Sequence, residues 1–96
     1  IGLMPSASIG EKTSVYEPIH GSYPEATGKN IANPIATILS CSMMFKDFGL
    51  IQESNLIEYA VRESIKNRKL TKDLSQTNYV TTSELGDWIV KRIFDL

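Results

Sequence analysis

Charged side chains vanish between Ile35 and Phe45, where isoleucine, alanine, leucine, methionine and phenylalanine take most positions. A helix that is apolar on all faces is an enclosed one, so this stretch is expected to be covered on every side. Asn33 stands where an N-cap is wanted, and Pro34 follows at N1, where a missing N–H costs nothing. Glu53 to Asn67 shows a second helical period, with Leu56, Tyr59, Ala60 and either Ser64 or Ile65 expected along its inner side. Glu58 and Arg62, four apart in the favourable order, are expected to form a surface pair worth about 0.2–0.5 kcal/mol. Thr81-x-x-Glu84 is a capping box that opens a third helix. Its expected buried stripe is Leu85, Trp88, Ile89, Ile93 and Leu96. Gly86 inside that helix costs roughly 1 kcal/mol against alanine, which predicts close packing against a neighbour.

Ahead of the helices, Thr13 to Ile19 is β-branched and aromatic and predicts a strand, closed by His20-Gly21. Residues 5–13 are small residues, serine, glycine and proline, and read as loop, as do residues 20–32. Lys46 to Leu50 reads as a turn, and Leu70 to Val80 as polar and irregular. No internal repeat, low-complexity tract or transmembrane span is evident. The remaining sequence is too short to wrap the charge-free helix on all sides. That shortage predicts a missing cover, either the rest of a larger domain or another subunit.

Composition sharpens the picture only in places. The chain has 96 residues, 42% of them apolar, and a net charge of -1, which describes one soluble globular unit at most. No Lys/Arg cluster is present to follow a phosphate track, so a nucleic-acid partner is not expected. Lys66, Arg68, Lys69 and Lys72 instead suit a helix C-terminus and its dipole. Cys41 is the single cysteine, which excludes an internal disulfide, and it is expected to be a buried, inert thiol. The opening Ile1-Gly2-Leu3-Met4-Pro5 has no basic n-region and does not begin with methionine. It is expected to come from within or near the end of a longer, cytoplasmic chain with no membrane partner.

The stretch richest in candidate chemistry runs from His20 to Pro34. Two glycines and a proline lead into a helix start, where free N–H groups and adaptable turns converge and can hold a polar ligand. His20 is the only histidine; it could stack on a flat ligand or simply close the strand. Glu25 could accept hydrogen bonds from a ribose diol while repelling a 2′-phosphate, or stand as a solvated carboxylate. Asn33 could cap the helix through its oxygen and still donate from its NH2 to a ligand. Glu17, just before Pro18, could face a ligand or belong to the strand edge. No Gly-x-Gly-x-x-Gly follows a strand, so a Rossmann site is not supported.

The run Glu17-Pro18-Ile19 through Gly28-Lys29-Asn30-Ile31-Ala32-Asn33-Pro34 and on to Leu39 closely resembles the coenzyme-binding segment of the 3-isopropylmalate dehydrogenase family. Gly2-Leu3-Met4-Pro5-Ser6-Ala7-Ser8 looks like the tract after that family's metal-binding segment, and Thr82-Ser83-Glu84-Leu85-Gly86-Asp87 like the start of its last helix. The resemblance implies an α/β fold class: residues 1–96 would be the C-terminal part of the coenzyme-binding lobe of a two-lobed fold, mostly helices plus one or two strands. It implies an NAD site in which His20 packs against adenine and Gly21, Ser22, Tyr23 and Pro24 shape the loop. Asn33 would bond the base, Glu25 would accept the ribose hydroxyls, and Gly2 would lie close through its backbone. Tyr23 and Ala26 depart from the family pattern: Tyr23 either covers adenine or fills part of the pocket, and Ala26 loosens one wall.

The family enzyme is a homodimer that oxidises 3-isopropylmalate with NAD and Mg2+ or Mn2+, and the product loses CO2 to give 4-methyl-2-oxopentanoate in leucine synthesis. Its catalytic and metal-ligating residues would lie upstream of Ile1, so this chain alone is expected to be inactive. Related β-decarboxylating dehydrogenases of isocitrate, homoisocitrate or tartrate type share much of the pattern. A small helical interaction module is the alternative of a different class.

Overall fold

A computed structural model describes residues 3–19 and 24–95. Two short strands, β1 (Pro5–Ser8) and β2 (Val15–Pro18), form an antiparallel hairpin in which Ser6 faces Glu17 and Ala7 faces Tyr16. A 3-10 turn follows at Pro24–Ala26, and then three helices: α1 (Ile35–Asp47), α2 (Ile51–Lys66) and α3 (Thr82–Phe94). The hairpin packs on α1, α1 on α2, and α2 on α3. This mostly helical arrangement with two strands is the expected one. No helix among the described residues is long and apolar enough to cross a membrane.

β1 was expected to be loop. Pro-Ser-Ala-Ser has no β-branched residue, so its extended form comes from pairing with β2 rather than from its own preference. The prolines at the open end, Pro5 opposite Pro18, sit at strand ends, where the missing N–H is tolerated. Gly10 makes the hairpin bend possible: a Cβ there would lie 2.4 Å from the Thr13 carbonyl oxygen. The Tyr16 hydroxyl donates to Asp47 Oδ2 and so ties β2 to the end of α1. That bond to a carboxylate holds the Tyr16 pKa above the usual phenol value.

The core is Ile35, Ala60, Val61, Leu85 and Ile89, ringed by Leu3, Ile38, Leu39, Val80, Trp88 and Ile93. Leu85, Trp88, Ile89 and Ile93 thus face inward from α3 as their spacing requires; Leu96 lies outside the described residues. On α2 the expected face is turned. Ser54, Ile57, Ala60, Val61 and Ser64 are the buried residues, whereas Leu56 is 38% and Tyr59 39% exposed. Small side chains let α1 and α2 approach closely, and their hydroxyls are satisfied locally. Ser42 and Ser54 share a 2.8 Å hydrogen bond across the interface, and Ser64 donates to the Val61 carbonyl. Counting large apolar residues misses a face built from small ones.

Four further expectations are corrected. The Cys41 thiol is exposed instead of buried, as is Thr37 one turn away, on a part of α1 that the described residues leave uncovered. Glu58 and Arg62 do not pair; the ion pair among the described residues is Arg92 to Glu63, at 2.7 Å between α3 and α2. It raises the arginine pKa, first through the hydrogen bond to Glu63. Gly86 does not mark a close contact, since nothing lies within 4 Å of the position its Cβ would take. Finally, α2 starts at Ile51 instead of Glu53.

Helices α1 and α2 end alike. In α1, Leu50 N–H bonds the Phe45 carbonyl and Gly49 N–H the Lys46 carbonyl, with Gly49 at φ 81°. In α2, Lys69 N–H bonds the Ser64 carbonyl and Arg68 N–H the Ile65 carbonyl, with Arg68 at φ 56°. Both are Schellman ends, one with glycine in the left-handed position and one with arginine.

Candidate functional site

The loop between the hairpin and α1 brings together part of the expected site. Pro24, Glu25 and Ala26 form the 3-10 turn, closed by Thr27 N–H on the Pro24 carbonyl at 3.1 Å and Lys29 N–H on the Ala26 carbonyl at 3.0 Å. Ala26 is buried and pins the turn, while Glu25 is exposed. Gly2, His20, Gly21, Ser22 and Tyr23 lie outside the described residues. Glu17 is exposed on β2 opposite Ser6.

Asn33 caps the helix through its oxygen, but from a different position than expected, and its amide nitrogen meets Asp73. Pro34 is the N-cap residue, and Asn33 bonds from one residue upstream: its Oδ1 accepts from the Ile35 N–H at 3.0 Å. This is an Asx turn, in which asparagine satisfies the backbone two residues on. Its Nδ2 donates to Asp73 Oδ2 at 3.1 Å, and Asp73 Oδ1 accepts from the Thr71 hydroxyl. An amide nitrogen carries two hydrogens, so one donor of Asn33 is set by Asp73 and the other can serve a ligand. Asp73 was not singled out by sequence reasoning, because it lies in the irregular 70–80 stretch, 40 positions from Asn33.

A second junction joins the same loop to α3. The first three free N–H groups of α3 are all taken: Thr82 N–H by the Asn30 carbonyl at 3.0 Å, Ser83 N–H by Asn30 Oδ1 at 3.0 Å, and Glu84 N–H by the Thr81 hydroxyl at 3.1 Å. Glu84 returns the bond by accepting from the Thr81 N–H at 2.9 Å, completing the capping box. These hydrogen bonds, the Thr81 backbone bond foremost, hold the Glu84 carboxyl below its usual pKa. Thr82 Oγ1 also donates to the Ala32 carbonyl. Asn30 was missed as well. Its legible signal was an asparagine just after Gly-Lys, since asparagine tolerates the left-handed backbone better than most residues.

Chemically, the loop offers an exposed carboxylate acceptor and an amide donor on either side of a stretch pinned to two helices. Among the described residues, no group of three or more His, Cys, Asp or Glu side chains is gathered as a metal site.

Comparison with known proteins gives this geometry a context. The profile of the isocitrate/isopropylmalate dehydrogenase family matches residues 1–89. The 3-isopropylmalate dehydrogenase of Thermotoga maritima is 46% identical over 99 aligned residues, which cover 100% of this chain and 28% of that protein. The homoisocitrate dehydrogenase of Methanocaldococcus jannaschii is 43% identical over 97% of this chain and 26% of its own length. The crystal structure of isocitrate dehydrogenase from Methylococcus capsulatus superposes with a TM-score of 0.91 at 38% identity, covering 96% of this chain and 27% of that one. The chain therefore spans a little over a quarter of the length of these three proteins. With nearly its whole length inside the family profile and its hairpin and helices reproduced in a solved relative, this chain belongs to the isocitrate/isopropylmalate dehydrogenase family.

Proposed function

We propose that residues 1–96 form the part of an NAD-dependent 3-isopropylmalate dehydrogenase that holds the adenosine half of the coenzyme. The observation that carries this reading is the loop itself: exposed Glu25 and the Asn33–Asp73 pair flank a segment poor in apolar anchors at the start of α1. The relatives matched over that segment include proteins named 3-isopropylmalate dehydrogenase.

The donor set fits the coenzyme. In this reading Glu25 accepts from the ribose hydroxyls, where a carboxylate also repels a 2′-phosphate and so favours NAD over NADP. The second N–H of Asn33 donates to a ring nitrogen of adenine, and Asp73 fixes the orientation of that amide. Pro24 and Ala26 hold the turn, and His20, Gly21, Ser22, Tyr23 and the Gly2 backbone complete the cradle. A bound NAD would supply the hydride acceptor for oxidation of the substrate hydroxyl, with Glu25 and Asn33 holding its adenosine half. This chain binds and orients the coenzyme; the groups that move protons and hold Mg2+ or Mn2+ belong to sequence outside it.

The full enzyme would act in leucine synthesis in the cytoplasm, as a homodimer. Exposed large apolar residues, with Phe94 at 85%, Phe48 at 66% and Ile9 at 65%, support a piece that is covered by further protein. In the full-length protein, Glu25→Lys is expected to raise the NAD KM at least tenfold and the NADP KM much less, measured by steady-state kinetics. Equal losses for both coenzymes would contradict the role given to Glu25. The homoisocitrate relative, at 43% identity, favours a second reading with a different side chain on the malate core. Comparing kcat/KM on isopropylmalate, isocitrate and homoisocitrate decides between them.

A further inference from the structure

Between Pro24 and Asn30 only Ala26 is buried, and every other residue is exposed. A segment with so little apolar burial is fixed by hydrogen bonds. Here they concentrate on Asn30. Its left-handed φ of 58° lets its main-chain and side-chain oxygens meet the same helix. The carbonyl accepts from Thr82 N–H at 3.0 Å, and Oδ1 accepts from Ser83 N–H at 3.0 Å and from Ser83 Oγ at 3.1 Å. Few residues combine a tolerated left-handed backbone with an acceptor this short. The helix it grips is itself rigidly placed, through buried Leu85 and Ile89 and the Arg92–Glu63 pair.

We propose that Asn30 is a positioning residue for coenzyme binding: it clamps the loop to the first turn of α3, so that Glu25 and Asn33 are held in their binding geometry before the coenzyme arrives. The inference rests on the coenzyme-loop reading above. Asn30 acts through its neighbours and need not touch the coenzyme; its side-chain oxygen is engaged by Ser83. Ordering the loop in advance removes a cost that the coenzyme would otherwise meet on binding. The effect therefore falls on coenzyme affinity and leaves turnover at saturation alone.

The test uses the full-length protein that carries this chain. Asn30→Gly keeps the left-handed backbone and the main-chain acceptor but deletes Oδ1. It is expected to raise the NAD KM about five- to tenfold, with kcat and the isopropylmalate KM changed less than twofold. Asn30→Asp restores an acceptor beside a helix N-terminus, where negative charge is favourable, and is expected to return the NAD KM to within about threefold of the parent. An unchanged NAD KM in Asn30→Gly overturns the proposal, as does a parallel rise in both KM values or a failure of Asn30→Asp to rescue. Glu25→Lys, run alongside, separates the two claims. If it weakens NAD while Asn30→Gly does not, the clamp alone is wrong; if neither variant affects NAD, the coenzyme reading falls with it.

Discussion

Arg68→Gly is expected to stabilise the protein, and Gly49→Ala to destabilise it, although the two helix ends share one hydrogen-bond pattern. Arg68 sits at φ 56°, where an L-residue pays roughly 1–2 kcal/mol relative to a right-handed backbone. Glycine removes that strain but adds about 0.5–1 kcal/mol of unfolded-chain entropy. The net gain is about 0.5–1 kcal/mol at the backbone. Against it stands the attraction of the Arg68 charge to the α2 C-terminus, about 0.3–1 kcal/mol at low ionic strength. The gain should therefore be nearly hidden in dilute buffer and emerge in about 0.5 M salt, where that attraction is screened. Gly49→Ala is the mirror experiment. Nothing lies within 4 Å of the new Cβ, so the loss of about 1 kcal/mol comes from φ alone. Urea unfolding followed by circular dichroism at both salt concentrations, with m-values compared, reads both changes. A loss of stability in Arg68→Gly at high salt, or no loss in Gly49→Ala, would refute the strain argument.

Two further outcomes follow from α3. Gly86→Ala is expected to raise stability by about 0.5–1 kcal/mol, because its Cβ enters open space; a drop in the urea midpoint would show a neighbour that is absent from the described residues. Glu84 has a folded pKa below its unfolded one, so the stability it contributes is present above the normal glutamate pKa and is lost as pH falls through the folded value. Glu84→Gln should therefore flatten the acid limb of the stability curve below about pH 4.5, and carboxyl NMR titration of the parent should find Glu84 protonating after free glutamates do.

Much of the local structure could be read from residue order because its causes are local. The capping box needs only Thr81 and Glu84 three positions apart, and both bonds are present. The α3 stripe follows from spacing, and the strand over Val15–Pro18 from β-branched and aromatic residues. The loop was legible as a candidate for a similar reason: glycine, proline and asparagine accumulate before a helix start, and the family likeness of that run is dense. What escaped was of a different kind. β1 exists only because β2 lies beside it. The buried face of α2 is chosen by how closely α1 can approach, which rewards Ser54, Ala60 and Ser64 over Leu56 and Tyr59.

By itself, then, residue order determined the start of the third helix, the inner stripe of that helix and the family. These depend on contacts within a few positions, or on a motif carried intact. Only the tertiary structure decided that Asn30 meets Ser83 across 53 positions, that Asp73 orients Asn33 across 40, and that Arg92 finds Glu63 rather than Arg62 finding Glu58. Each of these bonds requires two segments, distant in sequence, brought together by the packing of the helices on one core. Periodicity reports which way a side chain points from its own helix, but packing decides what it meets there.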